Sequence, residues 1–128
     1  MSVRAELVRL GMRRLIKYRS LNDVTIEQLR RRVAAFARLV PMPPAHTQMR
    51  EVIADGVQAW HVTTPASRND RCILFLHGGA YIIGSSRLYR HFTWRLAAAT
   101  RANVLSLDYR LAPEHPFPAA LDDAVRGY

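Results

Sequence analysis

Residues Phe75–Ser85 read FLHGGAYIIGS, and the fold turns on how this stretch is built. Ile73–Leu76, just before the histidine, is continuously apolar, as a strand buried on both faces must be. His77, Gly78, Gly79, Ala80 and Tyr81 follow at once. Glycines at the end of a buried strand let the backbone turn sharply or come close to another group. The sequence on either side has to supply that group.

Downstream, the apolar spacing predicts a helix over about Tyr89–Thr100, with Phe92, Leu96 and Ala99 facing inward. NVLSLD, Asn103–Asp108, reads as a second buried strand. YRLAPEHPFP reads as a proline-rich loop, and a further helix begins at Ala119 and runs on without a stop signal. Strand, helix and strand in this order imply a mainly parallel sheet flanked by helices, an α/β fold. Upstream, Gln48–Ala54 and Val57–Thr63 flank Asp55-Gly56, the signal of a type I′ hairpin. A polar loop, Pro65–Asp70, leads into a strand at Arg71–Leu76.

Pro41, Pro43 and Pro44 divide the chain into a helical segment, residues 1–45, and the strand-bearing remainder, residues 46–128. Two helices are expected before the prolines. The first covers roughly Val3–Tyr18. In the second, Thr25 and Gln28 form a capping box and Val24 and Leu29 a hydrophobic staple. Ile26, Leu29, Val33, Phe36, Ala37 and Val40 share one face of it, and Pro41 stops it.

At 128 residues the chain suits one domain with a real core. No apolar run approaches the roughly 18 residues of a membrane span. The arginine-rich start has no signal-peptide core, and the single cysteine, Cys72, reads as a core residue in a reducing compartment. The expected location is the cytoplasm, without membrane anchoring. The net charge of +9 is concentrated in residues 1–45, which hold 10 Lys and Arg against 3 acids. Helices with solvated arginine faces account for this. Nucleic acid is not expected, because the aromatic interleaving of a single-strand binder is missing.

HGGAY (His77–Tyr81) behind a buried strand, followed some thirty residues later by LDYRLAPEHPFPAALDD (Leu107–Asp123), resembles the hormone-sensitive-lipase family of α/β-hydrolases. The pair of motifs, at this spacing and behind a helical segment, carries the resemblance from the second helix to the last residue. It implies the N-terminal part of an α/β-hydrolase: a helical cap segment over residues 1–45 and an incomplete core over 46–128. It also implies hydrolysis of small carboxylic esters by a Ser-Asp-His triad, with no cofactor.

Acyl transfer passes through a tetrahedral intermediate with a negatively charged oxygen, which N–H groups fixed in advance stabilise. The resemblance assigns that donation to the backbone of Gly79 and Ala80. Gly78 then permits the turn, His77 braces the loop, and Tyr81 packs beneath the acyl pocket. The family has glycine where this chain has Ala80, so a negative φ is expected there. Without the second motif, His77-Gly78-Gly79 could equally be a plain strand-to-loop turn. In the second motif, Asp108 is expected to accept local N–H bonds or pair with Arg110, and the passage to act as scaffolding.

The nucleophile of this fold sits in a G-x-S-x-G elbow, which this sequence does not contain. Ser85, Asp108 and His115 fall in triad order, but no strand leads into Ser85 and no glycine stands two residues after it. The triad is therefore expected outside these residues. His46, His61 and His91 have no metal-ligand spacing, and no nucleotide-binding glycine motif is present, so neither metal nor nucleotide is expected. Two other readings remain open: a catalytically inactive truncated hydrolase that self-associates, or a basic helical module for an acidic partner or membrane surface.

Overall fold

The computed structural model describes residues 24–128 together with residues 6, 9 and 10. The first expected helix falls outside the described residues except at Glu6, Arg9 and Leu10, which are helical. The elements then run α1 (Ile26–Leu39), β1 (Gln48–Ala54), β2 (Val57–Thr63), β3 (Arg68–Leu76), α2 (Ser86–Thr100), β4 (Ala102–Leu107) and α3 (Ala119–Arg126). This is the N-terminal portion of an α/β-hydrolase fold.

Helix α1 begins with the full capping box, Thr25 with Gln28. It ends at Leu39 because Val40, the residue before Pro41, takes an extended conformation (φ −63°, ψ 126°). Ala37 is buried on its inner face, but Phe36 is 62% exposed, against expectation. The carbonyls just past the end of the helix are not left to water. Buried Arg90 of α2 donates to the carbonyls of Val40 and Pro41, placing a cation where the helix dipole is negative.

The sheet order is β1-β2-β4-β3. β1 and β2 form the expected hairpin, with Asp55 and Gly56 both at positive φ (44° and 82°) as a type I′ turn requires. β2 pairs antiparallel with β4, and β4 pairs parallel with β3 through the α2 crossover. β4 therefore lies inside the sheet, with Val104 and Leu107 fully buried. On the α2 face, Val62, Ala97 and Val104 form the core with Trp60, Ile73, Phe75 and Trp94 around them. On the other face Val57, Ala59 and Leu107 do so with Leu74 and Leu105.

Three expectations change. β3 starts at Arg68 rather than Arg71, its first residues polar because the strand is a sheet edge, with an irregularity between Arg68 and Cys72. Cys72 is exposed, not core: it stands on that edge strand, and no described element covers it. Helix α2 turns Ser86, Arg90, Thr93 and Ala97 inward, while Phe92 and Ala99 are exposed. The buried stripe is small and polar because α2 approaches β4 closely. Ser86 Oγ donates to the Ser106 carbonyl at 2.9 Å and accepts from Ser106 Oγ at 2.9 Å. Phe92 instead packs at the sheet edge, its ring 5.4 Å from that of Phe75.

Candidate active site

The strand β3 ends at Leu76, and the chain then folds into a tight turn. The Gly79 carbonyl accepts from both Ile82 N (3.0 Å) and Ile83 N (3.1 Å). Closing that turn puts Gly79 at φ 137°, Ala80 at 53° and Tyr81 at 62°. The expected negative φ at Ala80 is thus wrong. This turn closes in the left-handed sense, with two consecutive non-glycine residues at positive φ. A left-handed non-glycine residue costs about 1–2 kcal/mol. Ala80→Gly should therefore stabilise the chain by roughly 1 kcal/mol, the reverse of the usual effect of that substitution, which a urea midpoint would register. Among the described residues, no acceptor takes the N–H of Gly79 or of Ala80.

His77 is buried under this turn. Its Nδ1 lies 3.0 Å from the Gly78 carbonyl, an acceptor-only group, so Nδ1 is the donor in this contact. The ring stacks on Tyr109 at 4.3 Å, and the Tyr109 hydroxyl donates to the His77 carbonyl at 2.6 Å. Burial, with smaller contributions from Tyr81 and Tyr89, raises the Tyr109 phenol above its ordinary range, so it remains a donor at neutral pH. Gly84, at φ 112°, closes the other side: a Cβ there would lie 2.4 Å from His77 Nδ1 and 2.5 Å from the Gly78 oxygen. Tyr81 is 65% exposed among the described residues, its ring 6.2 Å from that of Tyr109.

The loop after β4 is tied to the turn. Ala112 N donates to the Tyr81 carbonyl at 2.9 Å. Asp108 neither bonds locally nor pairs with Arg110: its Oδ1 accepts from Ser86 N at 2.6 Å, at the start of α2. Arg110 instead makes a forked contact to buried Asp123 of α3, 2.7 Å at the shortest. That hydrogen bonding, partly opposed by burial, holds the Asp123 carboxyl below its usual range. Ser85 caps α2, accepting from Leu88 N, and His115 is exposed. No hydrogen bond among the described residues joins Ser85, Asp108 and His115.

Known proteins with this arrangement are hydrolases. A family model described as "alpha/beta hydrolase fold" matches residues 73–128. A solved esterase from the bacterial hormone-sensitive lipase family superposes with a TM-score of 0.83 at 37% identity, over 100% of this chain and 42% of that one. The chain belongs to the hormone-sensitive-lipase family of α/β-hydrolases. Its curated relatives carry names to match. Esterase LipI of Mycobacterium tuberculosis is 33% identical over 118 residues, 85% of this chain and 36% of that protein. An acetyl-hydrolase of Streptomyces hygroscopicus is 46% identical over 78 residues, 58% of this chain and 26% of that protein. The chain thus spans about a third of the length of these relatives.

Within this hydrolase-family segment, the structure sets three residues that the motif did not name around the stretch His77, Gly78, Gly79 and Ala80. Gly84 and Tyr109 enclose the histidine. Arg30, from α1, reaches both loops: its Nε donates to the Ile82 carbonyl at 2.7 Å and its Nη2 to the Ala112 carbonyl at 2.6 Å. The same guanidinium grips Glu114 through both carboxylate oxygens, at 2.7 and 2.8 Å. The hydrogen bonds from Arg30 lower the Glu114 carboxyl from 4.5 to about 2.

A carboxyl depressed by folding stabilises the fold above its unfolded value and loses that stabilisation as the pH falls through its folded value. The difference in stability between the parent chain and Glu114→Gln should therefore be constant above about pH 4.5 and disappear towards pH 2. Urea melts across that range check this directly. A difference that vanishes already near pH 4.5 would mean that Glu114 does not hold Arg30.

Proposed function

We propose that residues 77–80 form the oxyanion hole of a carboxylic-ester hydrolase acting on small-molecule esters. The observation that carries this reading is the pair of adjacent N–H groups, Gly79 and Ala80, without acceptors among the described residues, on a turn braced from several sides. Two such donors meet the negative charge that forms on the carbonyl oxygen when a nucleophile adds to an ester. Their value depends on being fixed beforehand, so that little reorganisation accompanies the reaction. The stacked His77 and Tyr109, the close-fitting Gly84 and the Ala112–Tyr81 hydrogen bond supply that fixity.

The chemistry around the hole needs a nucleophile and a base. The sequence has no G-x-S-x-G, and the hydroxyl of Ser85 is engaged in capping α2. The working enzyme therefore takes its serine, acid and histidine from outside these 128 residues. No cofactor enters this mechanism. The 128-residue chain by itself should not hydrolyse a short-chain aryl ester above the buffer rate. Saturable hydrolysis abolished by Ser85→Ala would place the nucleophile inside the chain and overturn this assignment.

A further inference from the structure

Arg30 lies 52 residues before Ile82 and 82 before Ala112, yet it touches the main chain of both. We propose that Arg30 is a positioning residue for the oxyanion turn, locking helix α1 and the proline-rich loop onto it through one guanidinium. This rests on the function proposed above and deepens it.

The geometry is that of a planar fork used to the full. Nε serves the Ile82 carbonyl, Nη2 serves Ala112 and Glu114, and Nη1 serves Glu114. Ile82 is itself a member of the turn, since its N–H closes onto the Gly79 carbonyl. The Ile82 carbonyl shares its peptide with the Ile83 N–H, which also closes onto the Gly79 carbonyl, so a donor held on that oxygen restrains the turn that carries Gly79 and Ala80. Glu114 restrains the guanidinium in turn, and the Ala112–Tyr81 hydrogen bond ties the two gripped loops to each other. The arginine side chain is 29% exposed, so water reaches it only from one side. A lysine retains the charge but not the fork, and one ammonium cannot meet two carbonyls and a carboxylate in these directions.

The test has two arms. In the 128-residue chain, amide exchange at Ile82 and Ile83 should quicken by about tenfold in Arg30→Lys and at least as much in Arg30→Met, with little change in the central strand β4. Glu114→Gln, which leaves both carbonyl contacts available, should have a smaller effect. In a full-length esterase carrying this segment, Arg30→Lys should lower kcat about tenfold with KM nearly unchanged, because only the charged intermediate needs the donors aligned. Unaltered exchange at Ile82 and Ile83 in both Arg30 variants would overturn the proposal. So would a rise in KM at constant kcat. Should exchange quicken while a Gly79 substitution leaves turnover intact, the clamp stands and the oxyanion assignment fails.

Discussion

Gly79→Val, introduced into a full-length esterase that carries this segment, should lower kcat by on the order of a hundredfold or more. Two effects act together. Gly79 sits at φ 137°, a region open essentially to glycine, and a Cβ built there lies 1.9 Å from the Ile83 oxygen and 2.6 Å from its carbonyl carbon. Backbone cannot yield as a flexible side chain would, so the turn must open. Opening it moves the Gly79 and Ala80 N–H groups, the proposed oxyanion donors. The loss of one oxyanion donor is worth about 2.7–4 kcal/mol at the transition state, the hundredfold or more just given. KM should change little, because the neutral ester carbonyl gains less from these donors than the charged intermediate does. Steady-state kinetics with an aryl ester, alongside a melt of the same variant, separates lost catalysis from lost folding. Turnover within twofold of the parent would leave the glycine a strictly structural turn residue.

Gly84→Ala should destabilise the chain by about 2–3 kcal/mol, large for the addition of one methyl group. Its φ of 112° is unfavourable for alanine, and the new Cβ would meet His77 Nδ1 at 2.4 Å and the Gly78 oxygen at 2.5 Å. The ring can yield only by giving up its stack on Tyr109, 4.3 Å away, since both residues are buried. The variant should therefore displace His77, and the Tyr109 hydroxyl should lose its 2.6 Å contact with the His77 carbonyl. Chemical unfolding gives the stability, and the His77 ring resonances show where the strain goes. A midpoint unchanged from the parent would mean that the turn has room to spare and that its fixity is overstated.

Much of this was legible from local chemistry. Asp55-Gly56 announced its turn because both residues tolerate positive φ, and the two strands beside it span the expected residues. The capping box at Thr25 and the stop before Pro41 are likewise written in adjacent residues. The inward face of α2 was misread because apolarity was taken as the sign of burial. There the buried residues are Ser86, Arg90 and Thr93 with Ala97, and their polar groups find partners on β4, just beyond α1 or within the helix. Ala80 misled for a different reason. Its residue type favours negative φ, and the left-handed sense in which the turn closes onto the Gly79 carbonyl is not visible in composition. Arg30 looked like one more solvated charge on a basic helix, because its partners lie between 52 and 84 residues away.

Arg30 grips Ile82 and Ala112 by their carbonyl oxygens, which every residue type possesses. The side chains at those two positions are consequently free to drift without releasing the grip. Arg30 and Glu114, in contrast, act through their own functional groups and have no such latitude. A lineage could thus reshape positions 82 and 112 by single substitutions, each viable on its own, while the fixed pair keeps the fold of the turn constant. Inheritance of shape is separated here from inheritance of surface, and that separation gives selection room to work.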